Sequence, residues 1–495
     1  MTKREIRRVA VVGAGISGIV SAAHLLRAGF EVTVLERNGE AGGIWLYNSE
    51  TAIETPYPCM RPEDAEAELQ HDDQRTGSER RRLLHAPPGP CYDSLKNNID
   101  TPLMQTTLHS WPKGTPRVVS HPVIKNYIQE TSRRTKVDEV IIYGALVSRI
   151  WKTGSEWQVQ WALLEEDDQE FNTVHREIIS AFDAIVVASG HYHTPRIPDT
   201  PGLASAKSTY PNRITHSKYY RNAREYAGKN VLLIGGGVSS TDIAKDISPC
   251  ANNIYQSTRQ GLSDMPASAL PSNATRVSEV AAIAIEPRLE AGPDGALFTI
   301  HLAHGASISG IDKIIICTGY QFALPFLPQY SDSQATPETA GDHILTTDGG
   351  QVHNLHQDIF YIPDPTLAFV GIPLFNTTFT LFEFQAMAIA AFYSGIVGLA
   401  PEAVLRREYQ DRVKTKGLGR YLHSLKEDEE SYVSSLMGWV NGGRSRHGMA
   451  PLEGHTATWK MEKQLIREAI SRLRAVRAAE RAAEEVRQAA HIQSV

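Results

Sequence analysis

The chain has 495 residues, 41% hydrophobic and 21% charged, which exceeds one ordinary core and reads as a soluble globular protein of two or more domains. A formal net charge of −6 gives no case for nucleic-acid binding. Four scattered cysteines, Cys59, Cys91, Cys250 and Cys317, contain no C-x-x-C pair, so neither a redox dithiol nor a zinc knuckle is indicated, and a reducing, cytoplasmic setting fits.

The basic start and first apolar run superficially resemble a signal peptide. The run ends after four residues at Gly13-Ala14-Gly15, so Arg8–Val12 reads as a strand. A Gly loop, a helix to about Ala28 and a strand over Phe30–Leu35 follow. Gly13 permits the tight turn, Gly15 lets the backbone approach a pyrophosphate, and Gly18 lets the helix pack close to the sheet. The helix N-terminus offers free N–H groups to the phosphates. Glu36 ends the strand, where a carboxylate accepts from ribose hydroxyls and repels a 2′-phosphate; Arg37 follows it at the same site. This first site suits an adenosine without a 2′-phosphate.

The charged stretch Arg61–Arg82 has little apolar periodicity and reads as a surface insertion. Val137–Val147, Trp157–Trp161 and Phe171–Ile179 read as a β-meander feeding an exit strand at Ala184–Ala188. From Val231 the programme repeats: strand, Gly loop, helix and the strand Ile254–Ser257. Strands over Val277–Ile285 and Ala296–Ala303 and the exit strand Lys313–Cys317 complete it. Asp183 and Asp312 precede the two exit strands at equivalent places.

In the second loop Gly235, Gly237 and Ser240 take the three roles, with Ser239 beside them and Ser257 closing the next strand. Arg259 lies where the first unit has an acid. A guanidinium fork suits a 2′-phosphate, so the second nucleotide is NADPH rather than NADH. Asp242, in the helix beyond this loop, reads as a local polar contact.

Ala386–Ala400 is shorter than the ~20 apolar residues a span needs and is broken by Gly395 and Gly398, so it reads as a buried helix. In the tail Lys460–Ala490, Leu465, Ile466, Ala469, Ile470, Leu473 and Val476 share one helical face, which predicts a packed helix with a solvated end. The fold class is therefore α/β, with two Rossmann-like dinucleotide-binding domains, the second inserted in the first, and β-meander additions. The expected boundaries are 1–205 and 326–495 for the first domain, with C-terminal helices, and 206–325 for the second. Two dinucleotides in one chain point to electron transfer between them.

Further segments resemble the flavin-containing monooxygenases, within the class B flavoprotein monooxygenases. Glu40-Ala41-Gly42-Gly43-Ile44-Trp45 resembles that family's E-x-G-G-x-W, and Tyr210–Tyr220 its F-x-G-x-x-x-H-x-x-x-F/Y fingerprint, with Tyr210 for Phe and Asn212 for Gly. VVASGHYHTPRIP (Val186–Pro198) and IIICTGY (Ile314–Tyr320) are similar to its exit-strand motifs. Tyr92–Asn98 resembles the segment carrying its active-site Asn, and Asp364–Gly371 the segment returning to the flavin. The resemblance spans about residues 8 to 400 and lies nearest the soluble fungal members.

The resemblance implies FAD in the first domain and NADPH in the second, with Gly43, Trp45, Thr318, Gly319 and Gly371 beside the cofactors. It implies a C4a-hydroperoxyflavin that oxygenates an amine or sulfide, with O2 as co-substrate. Asn98 matches the catalytic Asn, a neutral amide that can donate to a peroxide. His216 is placed with it as catalytic, with organisation of the interdomain linker as its other reading.

Other readings stay open. A Baeyer–Villiger monooxygenase shares the architecture, but its fingerprint tends to end in Trp then Pro or Asp, against Tyr220-Arg221 here. An NADPH oxidase releasing peroxide is raised by Asn212. A nucleotide-binding sensor or scaffold without turnover is the non-enzyme reading. No metal site is expected: His191 and His193, and likewise His301 and His304, lack a neighbouring ligand cluster. The substrate is placed near Leu374–Phe384, where Phe375, Phe379, Phe382 and Phe384 read more as core than as pocket; the direction of Glu383 is open. A homodimer is one reading of the oligomeric state.

Overall fold

Continuous apolar runs such as Arg8–Val12 and Ala184–Val187 need cover on both faces, and both lie inside a seven-stranded sheet. The computed structural model describes residues 5–67, 77–167, 172–286, 297–468 and 472. The strand order is Leu355–His356, Phe360–Tyr361, Leu367–Phe369, Ala184–Val187, Arg8–Val12, Glu31–Glu36 and Ile141–Tyr143. The last five run parallel.

A second, five-stranded sheet orders Ala274–Val277, Asn253–Ser257, Asn230–Ile234, Lys313–Ile316 and Ile214–His216, all parallel. Its strands lie in sequence between Val187 and Leu355, so the chain leaves the first sheet, builds the second and returns. The outgoing and returning chains pair as an antiparallel ribbon, Thr194–Pro195 against Tyr320–Gln321. The two aspartates do equivalent work. Asp183 Oδ2 accepts from Arg7 N and Arg8 N at 2.9 and 2.8 Å, and Asp312 Oδ2 from Asn230 N at 2.9 Å, each fastening the strand that leads into its sheet's Gly loop.

Two three-stranded antiparallel meanders are added: Ala145–Thr153, Glu156–Asp167 and Asn172–Phe182, and Val280–Glu286, Leu297–Leu302 and Ser307–Ile311. Three expectations are corrected. Val137–Val147 is a 3-10 turn (Val137–Val140), a strand of the first sheet (Ile141–Tyr143) and the start of the meander, divided at Gly144 with φ 69°. Val277–Ile285 divides between the second sheet and its meander. Ser307–Ile311, short and half polar, was not expected. Phe171 and Ala296 lie outside the described residues.

The insertion Arg61–Arg82 is not wholly irregular. Asp64–Ala67 and Gly77–His85 are helical, and the latter buries Leu83 and His85; residues 68–76 lie outside the described ones. The buried helix starts earlier than expected, at Phe379, and ends at Tyr393 before Gly395, φ 72°. Thirteen of its fifteen residues are buried, and its Ala-rich face packs on the helix Ile16–Arg27. Phe379 and Phe384 are therefore core. Glu383, also buried, accepts from Thr107 N at 2.7 Å and from His24 Nε2 at 3.1 Å, so it ties elements together.

The tail helix, residues 457–468, is held by Trp459 and by Lys463 on Glu429 at 2.6 Å. Leu465 is exposed, contrary to the expected packed face; Ala469, Ile470, Leu473 and Val476 lie outside the described residues. Among the described residues no helix is long and apolar enough to cross a membrane.

The helices Glu402–Lys416 and Glu429–Arg446 close the C-terminal region over a buried triad. Asp358 accepts from Arg412 Nη1 and Nη2 at 2.8 and 2.5 Å and meets His423 Nδ1 at 2.8 Å. Burial opposes its charge, but Arg412 and then His423 prevail and hold the carboxyl below its ordinary range. A depressed carboxyl stabilises fully above its unfolded value of ~3.9 and loses that contribution as pH falls below it. Asp358→Asn should therefore cost about 3 kcal/mol at pH 7, read as a lower unfolding midpoint, with the gap narrowing below pH ~4. Equal midpoints at pH 7 would contradict this.

Candidate active site

The two Gly loops meet their sheets in the same way. Gly13 N donates to Leu35 O and Gly235 N to Ser257 O, each at 2.8 Å. Each loop leads into a helix, Ile16–Arg27 or Val238–Ile247, whose N-terminus has no side-chain cap and no acid in its first turn. Those N–H groups and the helix dipole are left to an anion. A Cβ on Gly13 (φ 101°) would lie 2.8 Å from Ala188 O, and one on Gly235 (φ 125°) 2.4 Å from Cys317 O. Both turns require glycine.

Gly15 and Gly43 face each other. A Cβ on Gly43 would stand 2.9 Å from Gly15 Cα, so bare backbone from two segments forms the first cradle. Trp45 follows in the turn Gly43–Trp45. Gly371 rests on Ser17 Oγ at the helix start, 2.8 Å from its would-be Cβ, and Phe382 packs on the same glycine. The returning segment and one of the four phenylalanines thus reach the first loop, while Phe375 is exposed at φ 56°.

Glu36 is buried at the end of its strand. Oε2 accepts from Ala14 N at 2.6 Å and Oε1 from Asn38 N at 2.8 Å. Arg37 Nη2 lies 2.7 Å from His193 Nδ1. Burial, then Arg37 and Lys218, hold that imidazole well below its ordinary pKa. Lys218, 5% exposed, donates to His193 O at 2.7 Å, and burial followed by Arg37 and Arg221 lowers it to about 7. Arg221 donates to the carbonyls of Lys218, Tyr220, Glu50 and Gly89. None of these three cations has a carboxylate in ion-pair reach among the described residues, which leaves the seam between the sheets positive. Lys218 lies within the fingerprint and Arg221 directly after it, and neither carried a binding signal of its own in the sequence.

In the second unit, Ser240 is buried, its hydroxyl bonded to Gly237 O and to Gln256 Nε2 at 3.0 and 2.8 Å. Ser239 is exposed one residue earlier. Ser257 donates its hydroxyl to Ser278 O at 2.9 Å, leaving its backbone to the loop. Arg259 is largely exposed, with only a 3.7 Å approach to Glu279. Arg276, which sequence reasoning missed, lies one strand further and holds Gln256 Oε1 at 2.6 Å. Asp264 packs its carboxylate onto Gly236 and bonds Thr258.

His216 is fully buried on the strand Ile214–His216. Its Nε2 donates to Gly319 O at 3.2 Å and its Nδ1 accepts from Lys218 N at 3.1 Å. Burial, then Lys218, lowers it to about 3, so the ring is neutral with both nitrogens committed to backbone. Those two bonds lie where the outgoing and returning chains cross. Thr318 donates to Arg196 O at 2.5 Å, tying the same crossing.

Asn98 is exposed, beside a fixed neighbour: Asn97 bonds Ile99 O, Arg117 O and Val119 N at 2.7, 2.8 and 2.6 Å. At the segment's other end, the Tyr92 hydroxyl bonds Asp242, and the Tyr220 hydroxyl bonds Asp246 one turn on. Asp242 is thus a polar contact, and one that links the Asn98 segment to the second nucleotide helix. His191 packs against Phe322 with ring centroids 5.1 Å apart. His301 and His304 bond Ser307 and Ser278 at 2.9 and 2.6 Å.

A family model described as flavin-binding monooxygenase-like matches residues 89–271, and one for NAD(P)-binding Rossmann-like domains matches residues 11–58. The chain is 44% identical to flavin-containing monooxygenase ustF2 of Aspergillus flavus, over 94% of this chain and 98% of the relative. It is 43% identical to ustF1 of the same organism, over 93% and 89%. Its fold is similar to that of S-allyl-L-cysteine S-oxygenase from Allium sativum, with a TM-score of 0.67, 24% identity and coverage of 94% and 93%. The chain belongs to the flavin-containing monooxygenase family and is an FAD- and NADPH-dependent monooxygenase acting on small molecules.

Proposed function

We propose that this enzyme oxygenates a nitrogen or sulfur atom of a small soft nucleophile. FAD lies in residues 1–205 and 326–495, and NADPH in 206–325. The observation that carries the reading is the doubled Gly loop, one followed by a buried carboxylate and the other by an exposed arginine, with the two crossing chains paired at Thr194–Pro195 and Tyr320–Gln321. Gly15 and Gly43 would admit the flavin diphosphate, Glu36 the ribose, and Arg259 the 2′-phosphate of NADPH. Bound FAD supplies the redox and dioxygen chemistry that no side chain provides.

The side chains have limited tasks. An oxidant that is already electrophilic needs no strong base, only a donor, a dry wall and a placed nicotinamide. Asn98 donates an amide N–H without surrendering a proton, and Asn97 fixes its backbone. His216 keeps the two crossing chains in register. The balance is one NADPH, one proton and one O2 per substrate, giving NADP⁺, water and the oxygenated product.

The likeness in fold to an S-oxygenase supports sulfur as one target. Asn212, which raised the oxidase reading, is exposed in the turn Pro211–Arg213 with its carbonyl accepting from Lys313 at 2.8 Å. Turnover with ¹⁸O2 over a panel of thioethers, tertiary amines and ketones tests the proposal. One labelled oxygen per NADPH on sulfur or nitrogen is expected. Lactone or ester formation from ketones, or peroxide alone throughout, would overturn it.

A further inference from the structure

Arg420 opens the single turn Arg420–His423, which the chain enters through Gly417 and Gly419 at φ 77° and 88°. The rest of this turn is tied down. Gly419 N donates to Gln351, the Tyr421 hydroxyl meets Ser263 Oγ at 3.0 Å, Leu422 O accepts from Arg412 at 2.7 Å, and His423 Nε2 accepts from Val352 N at 3.0 Å. Arg420 alone has no hydrogen-bond or ion-pair partner among the described residues.

Its position is nevertheless defined. Nη1 stands 2.7 Å from where a Cβ on Gly319 would lie, so the guanidinium rests on bare backbone at the second sheet's exit loop. On the other side lies the first sheet's exit loop: Phe322 bridges it to this turn, its ring 5.1 Å from His191 and 5.3 Å from His423, and the Arg420 charge acts on His191 and Tyr192 there. His191 is a second, independent signal. Both its ring nitrogens are shielded from solvent and neither makes a hydrogen bond of good geometry, the Gly371 backbone acting on the ring only weakly, while the ring packs 4.3 Å from Tyr192 and 5.1 Å from Phe322. Burial, then Arg420 and His423, lower it to about 3 against a weaker pull from the Gly371 backbone, so the neutral ring offers one donor and one acceptor. A half-buried cation without a counter-ion and an imidazole whose two nitrogens are shielded and unbonded leave polar groups for a ligand to complete.

We propose that Arg420 and His191 recognise a carboxylate of the organic substrate, with Tyr192 and Phe322 as the adjoining wall. The inference rests on the monooxygenase reading and narrows its substrate class to small carboxylate-bearing thioethers or amines. A carboxylate matches the planar guanidinium fork, and His191 adds a neutral hydrogen bond. The rival anion, a phosphate of the dinucleotide, already has the second helix N-terminus and Arg259.

The test is calorimetric binding to FAD-loaded protein with NADP⁺ present, using S-allyl-L-cysteine and its methyl ester as probes. Wild type should bind the acid at least about tenfold more tightly than the ester. Arg420→Met should abolish the difference and Arg420→Lys should keep part of it, while the NADPH dissociation constant from anaerobic flavin reduction stays within about twofold. Absence of acid binding or of discrimination in wild type, or discrimination retained in Arg420→Met, overturns the proposal. So does a tenfold weaker NADPH affinity in Arg420→Met, which would assign the residue to the dinucleotide. Failure of the monooxygenase reading would appear separately, in flavin reoxidation measured without organic substrate.

Discussion

Gly18→Ala is expected to purify without bound flavin and to lose at least about a hundredfold in NADPH oxidation. A Cβ on Gly18 would lie 1.8 Å from Gly13 O, far inside any contact distance. Gly13 is held in place, at φ 101° and with its N–H donating to Leu35 O at 2.8 Å. The helix Ile16–Arg27 must therefore move off the sheet, taking its N–H groups away from a diphosphate. A loss of about 3 kcal/mol in binding corresponds to the hundredfold. Gly15→Ala separates folding from binding: its Cβ would meet Gly43 Cα at 3.4 Å, so the loop survives while the approach to the cofactor narrows. Flavin content and circular dichroism read the two apart. Full flavin occupancy in Gly18→Ala would contradict the assignment of this loop.

Arg259→Ala should lower kcat/KM for NADPH by roughly ten- to a hundredfold and leave NADH nearly unchanged. The side chain is 73% exposed and meets only Glu279 at 3.7 Å, so no fold contact is lost. Charge-assisted bonds to a 2′-phosphate are worth about 1.5–3 kcal/mol. Arg276→Ala serves as comparison, since that guanidinium is held by Gln256 and a change there should affect both nucleotides alike. Equal losses for NADPH and NADH in Arg259→Ala would remove Arg259 from the phosphate site.

The sheets and their Gly loops were legible because the signals are local: an apolar run, a glycine that must turn, a carboxylate at the next strand end. Asp183 and Asp312 could be matched by eye because each acts on its own sheet. Val137–Val147 misled because its apolar run continues across Gly144 while the chain changes sheets there. In the described part of the tail helix the anchor is Trp459, which stands before the expected face, while Leu465 of that face is exposed. His216 showed its motif but not its bond to Gly319, a hundred residues on. Arg420 carried no motif at all. Its meaning appears only when the fold places it between two exit loops, against a glycine and an unsatisfied histidine.

Anaerobic reduction with NADPH, followed by mixing with oxygenated buffer and stopped-flow recording of the flavin spectrum without organic substrate, tests the central claim most directly. The account predicts reduction by NADPH, then a flavin–oxygen adduct that persists for seconds or longer before oxidised flavin returns. Direct return to oxidised flavin with stoichiometric peroxide, unchanged when thioether or amine substrates are added, would contradict it.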